Sequence, residues 1–224
     1  MRTKALMPTA DEILKTLTLI SNKYIAVAIS WHAIVVLFLL YYFSAKQKLS
    51  NRFVNLLFSL LLLSVSVLAW TAGNPFNGTL FLAASSLLFI LGIKKKELQT
   101  AVEPRPWSQI AGSLIFLSGF FYPHFLEASW WTYSYSAPIG LVPCPTLLVI
   151  TGLYLILPVN QSRSWVLTLA LLDAFYGLFG VFKLNVYLDL ILIAATIVLI
   201  LQPGIIKKPR QGATIQTLPT GNRA

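Results

Sequence analysis

Residues 24–43 form an apolar run without one charged side chain. At 1.5 Å of rise per residue, a helix of that length reaches about 30 Å, the thickness of a bilayer's hydrocarbon core. Further apolar stretches follow at 53–71, 79–93, 107–122, 143–157, 165–182 and 186–201, each separated from the next by short polar punctuation. The pattern predicts an all-α integral membrane protein, a bundle of about seven transmembrane helices. The third, fourth and fifth stretches are short for a full crossing and read as helices that extend into their flanks, or as broken or tilted elements.

Composition agrees with a chain written for lipid. Hydrophobic residues make up 57% and charged residues 11%, against roughly 25% charged in a soluble domain. A net charge of +10 raises the question of nucleic acid, but the Lys and Arg residues sit in loops and tails between apolar runs. Membrane topology explains that placement, and no nucleic-acid partner is expected. Twelve of the cationic residues fall in one alternate set of loops, from Lys46 to Arg223, and five in the other. The richer set is assigned to the cytoplasm, with the N-terminus and the loop 123–142 outside. Four cationic residues ahead of the first stretch, Arg2, Lys4, Lys15 and Lys23, oppose that assignment.

Three segments follow. Residues 1–23 carry a short interfacial helix, opened by a capping box of Thr9 and Glu12 and striped by Ile13, Leu14, Leu17 and Ile20. Residues 24–202 are the bundle, and 203–224 a basic, Pro-containing tail expected to be disordered. The first apolar run begins too late, and is too long, for a cleavable secretory signal. Tyr41, Tyr42, Trp70, Trp107, Tyr122, Trp130, Trp131 and Trp165 fall near the ends of the apolar stretches, where aromatic residues anchor at the interface.

Polar groups at membrane depth are the first functional candidates. Asp173 lies near the middle of the sixth stretch, where a charged carboxylate costs about 2.5 to 3.5 kcal/mol on insertion scales. It is therefore expected inside the bundle, paired or protonated, as a proton or ion relay or as a structural hydrogen-bonding carboxyl. Gly177 and Gly180 share its face and admit a close neighbour. His32, deep in the first stretch, is either a partner for Asp173 or a neutral imidazole bonded across helices. Asp189, near the outer end of the last stretch, is a further candidate buried polar or proton-relay residue, or one that simply snorkels or pairs with Lys183.

A second group lies in the external loop: Tyr122, Pro123, His124 and Glu127, then Gly140-Leu141-Val142-Pro143-Cys144-Pro145-Thr146. Pro143 suits the first turn of a helix, where its missing N–H costs nothing. Irregular backbone just upstream can dip into the membrane only where protein or a water-filled cavity surrounds it. Cys144, as the sole cysteine, forms no intrachain disulfide. One sulfur beside His124 and Glu127 is a thin basis for a soft-metal site, so no metal and no cofactor is assigned.

The Tyr122-Pro123 pair, the glycine at 140, the Pro143-Cys144-Pro145-Thr146 run and the later Thr151-Gly152 resemble a bacterial family of multi-spanning membrane proteins, a domain of unknown function. The resemblance is to its tyrosine-proline pair and to the cysteine form of its proline-cysteine/aspartate-proline-threonine motif. It implies an integral membrane protein, placed in a bacterial inner (plasma) membrane, and no chemistry.

No HExxH helix, GxSxG elbow or His/Asp cluster signals an enzyme, and no lysine in the last stretch could hold a retinal Schiff base. Two functions remain. One is a small-solute or ion carrier or channel using the buried polar residues. The other is a non-catalytic membrane subunit or scaffold whose partner supplies the chemistry. The partners expected are the bilayer, an unspecified small molecule or ion, and a second copy or a partner subunit.

Overall fold

The computed structural model describes residues 9–44, 50–94, 104–158 and 163–202. Most of the cationic loop residues and the tail lie outside these segments. Every regular element among the described residues is helical. Helix α1 (Ala10–Lys23) opens on the expected capping box: the Thr9 N–H donates to Glu12 Oε2 at 2.8 Å and the Glu12 N–H to Thr9 Oγ1 at 3.3 Å. Its apolar stripe turns onto the protein itself, with Ile20 buried and Leu14 and Leu17 packed on the core.

Four helices are long and apolar enough to cross a membrane: α2 (Ile25–Ser44), α3 (Asn51–Thr71), α4 (Pro75–Lys94) and α8 (Arg163–Leu184). Helix α4 starts four residues earlier than its apolar run, because Asn74 Oδ1 accepts the Asn77 N–H at 3.0 Å and caps the first turn behind Pro75. Three helices are shorter: α5 (Pro106–Phe120), α7 (Pro143–Ile156) and α9 (Leu190–Ile200), about 22, 21 and 16 Å long at helical rise. Their lengths have local causes. Pro123 stands just past the end of α5, Pro143 opens α7, and a turn at Asn185 with a 3-10 segment (Tyr187–Asp189) separates α8 from α9. Helix α6 (Tyr133–Ser136) and a preceding 3-10 turn (Trp130–Thr132) lie in the connection between α5 and α7.

Helix α7 is the centre. Every residue from Pro143 to Leu155 is buried, as a helix apolar on all sides requires. It packs against α3, α5, α8 and α9. Closest is α5, where Gly152 has no room for a side chain: a Cβ there would stand 2.5 Å from the Phe116 backbone nitrogen. Small residues at such crossings let backbones approach in lipid, where apolar surface alone gives no driving force. Helices α5, α7 and α9 are also tied at one end, where Gln202 Nε2 donates to Ser108 Oγ at 3.0 Å and Ser108 Oγ to the Leu155 carbonyl at 3.4 Å.

The outward faces are apolar as well. Phe43, Leu171 and Phe182 are each at least 70% exposed, more uncovered hydrocarbon than a water-facing surface gathers without a partner. Of the expected interfacial aromatics, Tyr122 and Trp165 are instead buried. Trp165 stacks on Tyr154 at 5.1 Å and serves the core.

Candidate functional site

At the end of the bundle opposite Gln202, three segments far apart in sequence converge. Helix α5 stops at Phe120, and the chain turns tightly around Pro123, with the His124 N–H donating to the Tyr122 carbonyl at 2.9 Å. That turn leaves the Tyr122 side chain fully buried. Phe125 follows with φ +75°, a conformation rare for a bulky residue, and stacks its ring on Tyr122 at 6.0 Å. Asn22 of α1 holds this loop from both sides. Its Nδ2 donates to the Phe125 carbonyl and its Oδ1 accepts the Glu127 N–H, each at 3.2 Å.

The second segment is the start of α7. Gly140 adopts φ +72°, and a Cβ on it would collide with the indole of Trp31. Its N–H donates to Thr146 Oγ1 at 2.8 Å, while the Thr146 hydroxyl donates to the Val142 carbonyl at 2.7 Å. Pro143 and Pro145 contribute no N–H to the first turn, so fewer donors are left unsatisfied there. Thr146 is thus the clasp of the Gly140 to Thr146 motif, and Cys144 is the member whose side chain is free to face another element.

That element is the third segment. Asn185, in the left-handed region at φ +57°, ends α8, and the Val186 N–H returns to the Gly180 carbonyl at 2.9 Å. The reversal lays Asp189 back over α8, where its carboxylate occupies the place a Gly180 side chain would fill. Tyr122 Oη donates to Asp189 Oδ1 at 2.7 Å, and Cys144 Sγ donates to Asp189 Oδ2 at 3.3 Å. Of the two alternatives for Asp189, snorkelling or pairing with Lys183 is therefore corrected: Asp189 is a buried polar group and Lys183 is exposed, because the reversal at Asn185 folds Asp189 back onto α8.

One level deeper, Thr151 Oγ1 donates to Asp173 Oδ2 at 2.8 Å. Asp173 is fully buried, and its Oδ1 has no hydrogen-bond partner among the described residues. Thr151 stands seven residues after Cys144 on α7, two turns along the same face. Tyr176, three residues after Asp173, donates to Asn77 Oδ1 of α4 at 2.9 Å. Gly177 lies against Ile193 and Leu192, so the small face of α8 is where α9 seats.

His32 does not pair with Asp173. Its Nδ1 lies 3.0 Å from the Ala28 carbonyl and its Nε2 3.1 Å from the Phe120 carbonyl, so it ties α2 to the end of α5. His124 and Glu127 stay apart from Cys144. The His124 ring packs edge-on against Phe125 at 4.4 Å, and burial holds its imidazole below the ordinary value. Glu127 is exposed beside Asp11 and Lys15 of α1. No group of three His, Cys, Asp or Glu side chains able to hold a metal occurs among the described residues. The pairing of Asp189 with Tyr122 and Cys144 was missed in sequence; the signal was Gly180 and Asn185, the small residue and the turn former that bracket the end of α8.

The described residues thus form an all-helical bundle with four helices long and apolar enough to cross a membrane and a buried carboxyl at each of two levels. Residues 12–208 match a family of unknown function, DUF6064, and the chain belongs to that family. No curated protein and no solved structure matches it.

Proposed function

We propose that this protein is a multi-pass carrier or channel for a small solute or ion, with Asp189 and Asp173 as polar stations along the contact of α7, α8 and α9. In this reading α5, α7 and α9 complete a seven-span bundle in a bacterial plasma membrane. The N-terminus and the Tyr122 end lie outside, and the tail is cytoplasmic. The matched ends of the three short helices support it, with Tyr122, Cys144 and Asp189 at one end and Ser108, Leu155 and Gln202 at the other. The observation that carries the proposal is the fully buried Asp173 carboxyl with one oxygen unbonded among the described residues. An ionisable group at membrane depth is retained where it serves a pathway.

The test is flux. Purified protein in liposomes, on a solid-supported membrane, is challenged with amino acids, organic acids, sugars and mono- and divalent cations. Wild type should give a current with at least one class, and Asp173→Asn should reduce it at least tenfold with an unchanged melting curve. Currents equal to those of empty liposomes across the whole panel would overturn the carrier. They would leave the alternative, a non-catalytic membrane subunit or scaffold, for which Trp130 and Trp131 offer a surface, stacked at 3.6 Å and about two-thirds exposed.

A further inference from the structure

The two buried carboxyls are held in opposite ways. Asp189 receives a donor on each oxygen, the Tyr122 hydroxyl and the Cys144 thiol, which is the complement of an ionised carboxylate. Its thiol donor sits in the first turn of α7, the end of a helix that favours negative charge. Asp173 receives one donor, from Thr151, and its second oxygen faces protein without a partner among the described residues. An ionised carboxylate cannot be left that way in an apolar interior, whereas a carboxyl that keeps its proton can.

We infer that Asp173 is a proton-binding site that stays loaded at neutral pH, that Asp189 is its ionised counterpart, and that the coupling ion of the carrier is therefore the proton. The last step rests on the carrier reading. A metal cation fits the same place poorly. Calcium requires six to eight oxygen ligands and magnesium an octahedron of them, and beside its own carboxyl Asp173 has, among the described residues, only the Thr151 hydroxyl in hydrogen-bond contact. The titratable groups facing α8 are Cys144 and Tyr154 on α7 and Asp189 beyond its end; α1 also packs on α8, but its charged residues Asp11, Glu12, Lys15 and Lys23 are exposed. Helices α4 and α9 present Asn77 and Thr196 there, which do not titrate. No cation faces Asp173 from these elements to hold it ionised.

Infrared spectroscopy of the full chain in lipid nanodiscs at pH 7 tests this directly, because the protein has only seven acidic side chains and those in water are ionised at that pH. A protonated-carboxyl C=O band should be present, lost in Asp173→Asn and retained in Asp189→Asn. It should move without disappearing in Thr151→Val, which removes the donor and keeps the fold testable if Asp173→Asn misfolds. The single S–H stretch, from Cys144, should shift in Asp189→Asn. A band untouched by Asp173→Asn, a band lost in Asp189→Asn instead, or a band abolished by adding sodium, magnesium or calcium would overturn the inference. A band that behaves as expected while the flux assay is negative would remove the carrier and leave the proton site standing.

Discussion

Gly180 shows how much one absent methyl group decides here. Asp189 can lie back over α8 only because position 180 has no Cβ, so Gly180→Ala must push the carboxylate off Tyr122 and Cys144. Overpacking of this kind costs roughly 1–3 kcal/mol, to be read as a lowered unfolding midpoint in mild detergent. Cys144 is buried and bonded to Asp189. An impermeant thiol reagent should therefore label the wild-type protein only after unfolding, and Gly180→Ala in the folded state. Tyr122→Phe takes one donor from a buried carboxylate and should cost about 1–3 kcal/mol by the same midpoint. Labelling of folded wild type at the rate of unfolded protein would show that the Cys144 to Asp189 contact is not formed. At this scale sequence reading reached Asp173 as a buried carboxyl, because a lone charge inside an apolar run is visible on its face. It left Asp189 open between a buried polar group and an interfacial one, because burial there depends on the turn at Asn185 rather than on its own neighbours.

Among the elements, α1 and the α5 to α7 pair make the clearest predictions. The Thr9 N–H bond to Glu12 holds that carboxyl below the ordinary glutamate range. A carboxyl with a depressed folded pKa contributes stability above its unfolded pKa and loses it as pH falls through the folded value. Acidification below about pH 4 should therefore fray the first turn of α1. Amide exchange at Ile13 and Leu14 should accelerate while α7 is unchanged, and Thr9→Ala should do the same at neutral pH. Gly152→Ala forces α5 and α7 apart and should cost about 1–3 kcal/mol, whereas Ala at solvent- or lipid-facing Leu171 should be nearly neutral to the midpoint. The capping box was legible because its two residues are three apart. The start of α4 was not, because the cap lies outside the apolar run that marks the helix. The central place of α7 was equally hidden: an apolar stretch of fourteen residues reads the same whether lipid or protein surrounds it.

For the molecule as a whole, the number of crossings is the property that reporter fusions can settle. With seven spans, fusions after α2, α4 and α7 report one side and fusions after α3, α5 and α8 the other. With crossings only by the four long helices, fusions after α4, α5 and α7 all report the same side. By itself the sequence determined the helices and their apolar character: long apolar runs with Lys and Arg confined between them, four of them in helices of spanning length, are suited to lipid, where a helix is the economical way to satisfy the backbone. The tertiary structure alone decided which apolar helix is enclosed and which faces outward, and which carboxyl meets which donor. Those outcomes depend on close approach at Gly152 and Gly180 and on the reversals at Pro123, Gly140 and Asn185. Hydropathy measures how much each residue avoids water, whereas contact between Tyr122, Cys144 and Asp189 is set by where three distant turns place them in space.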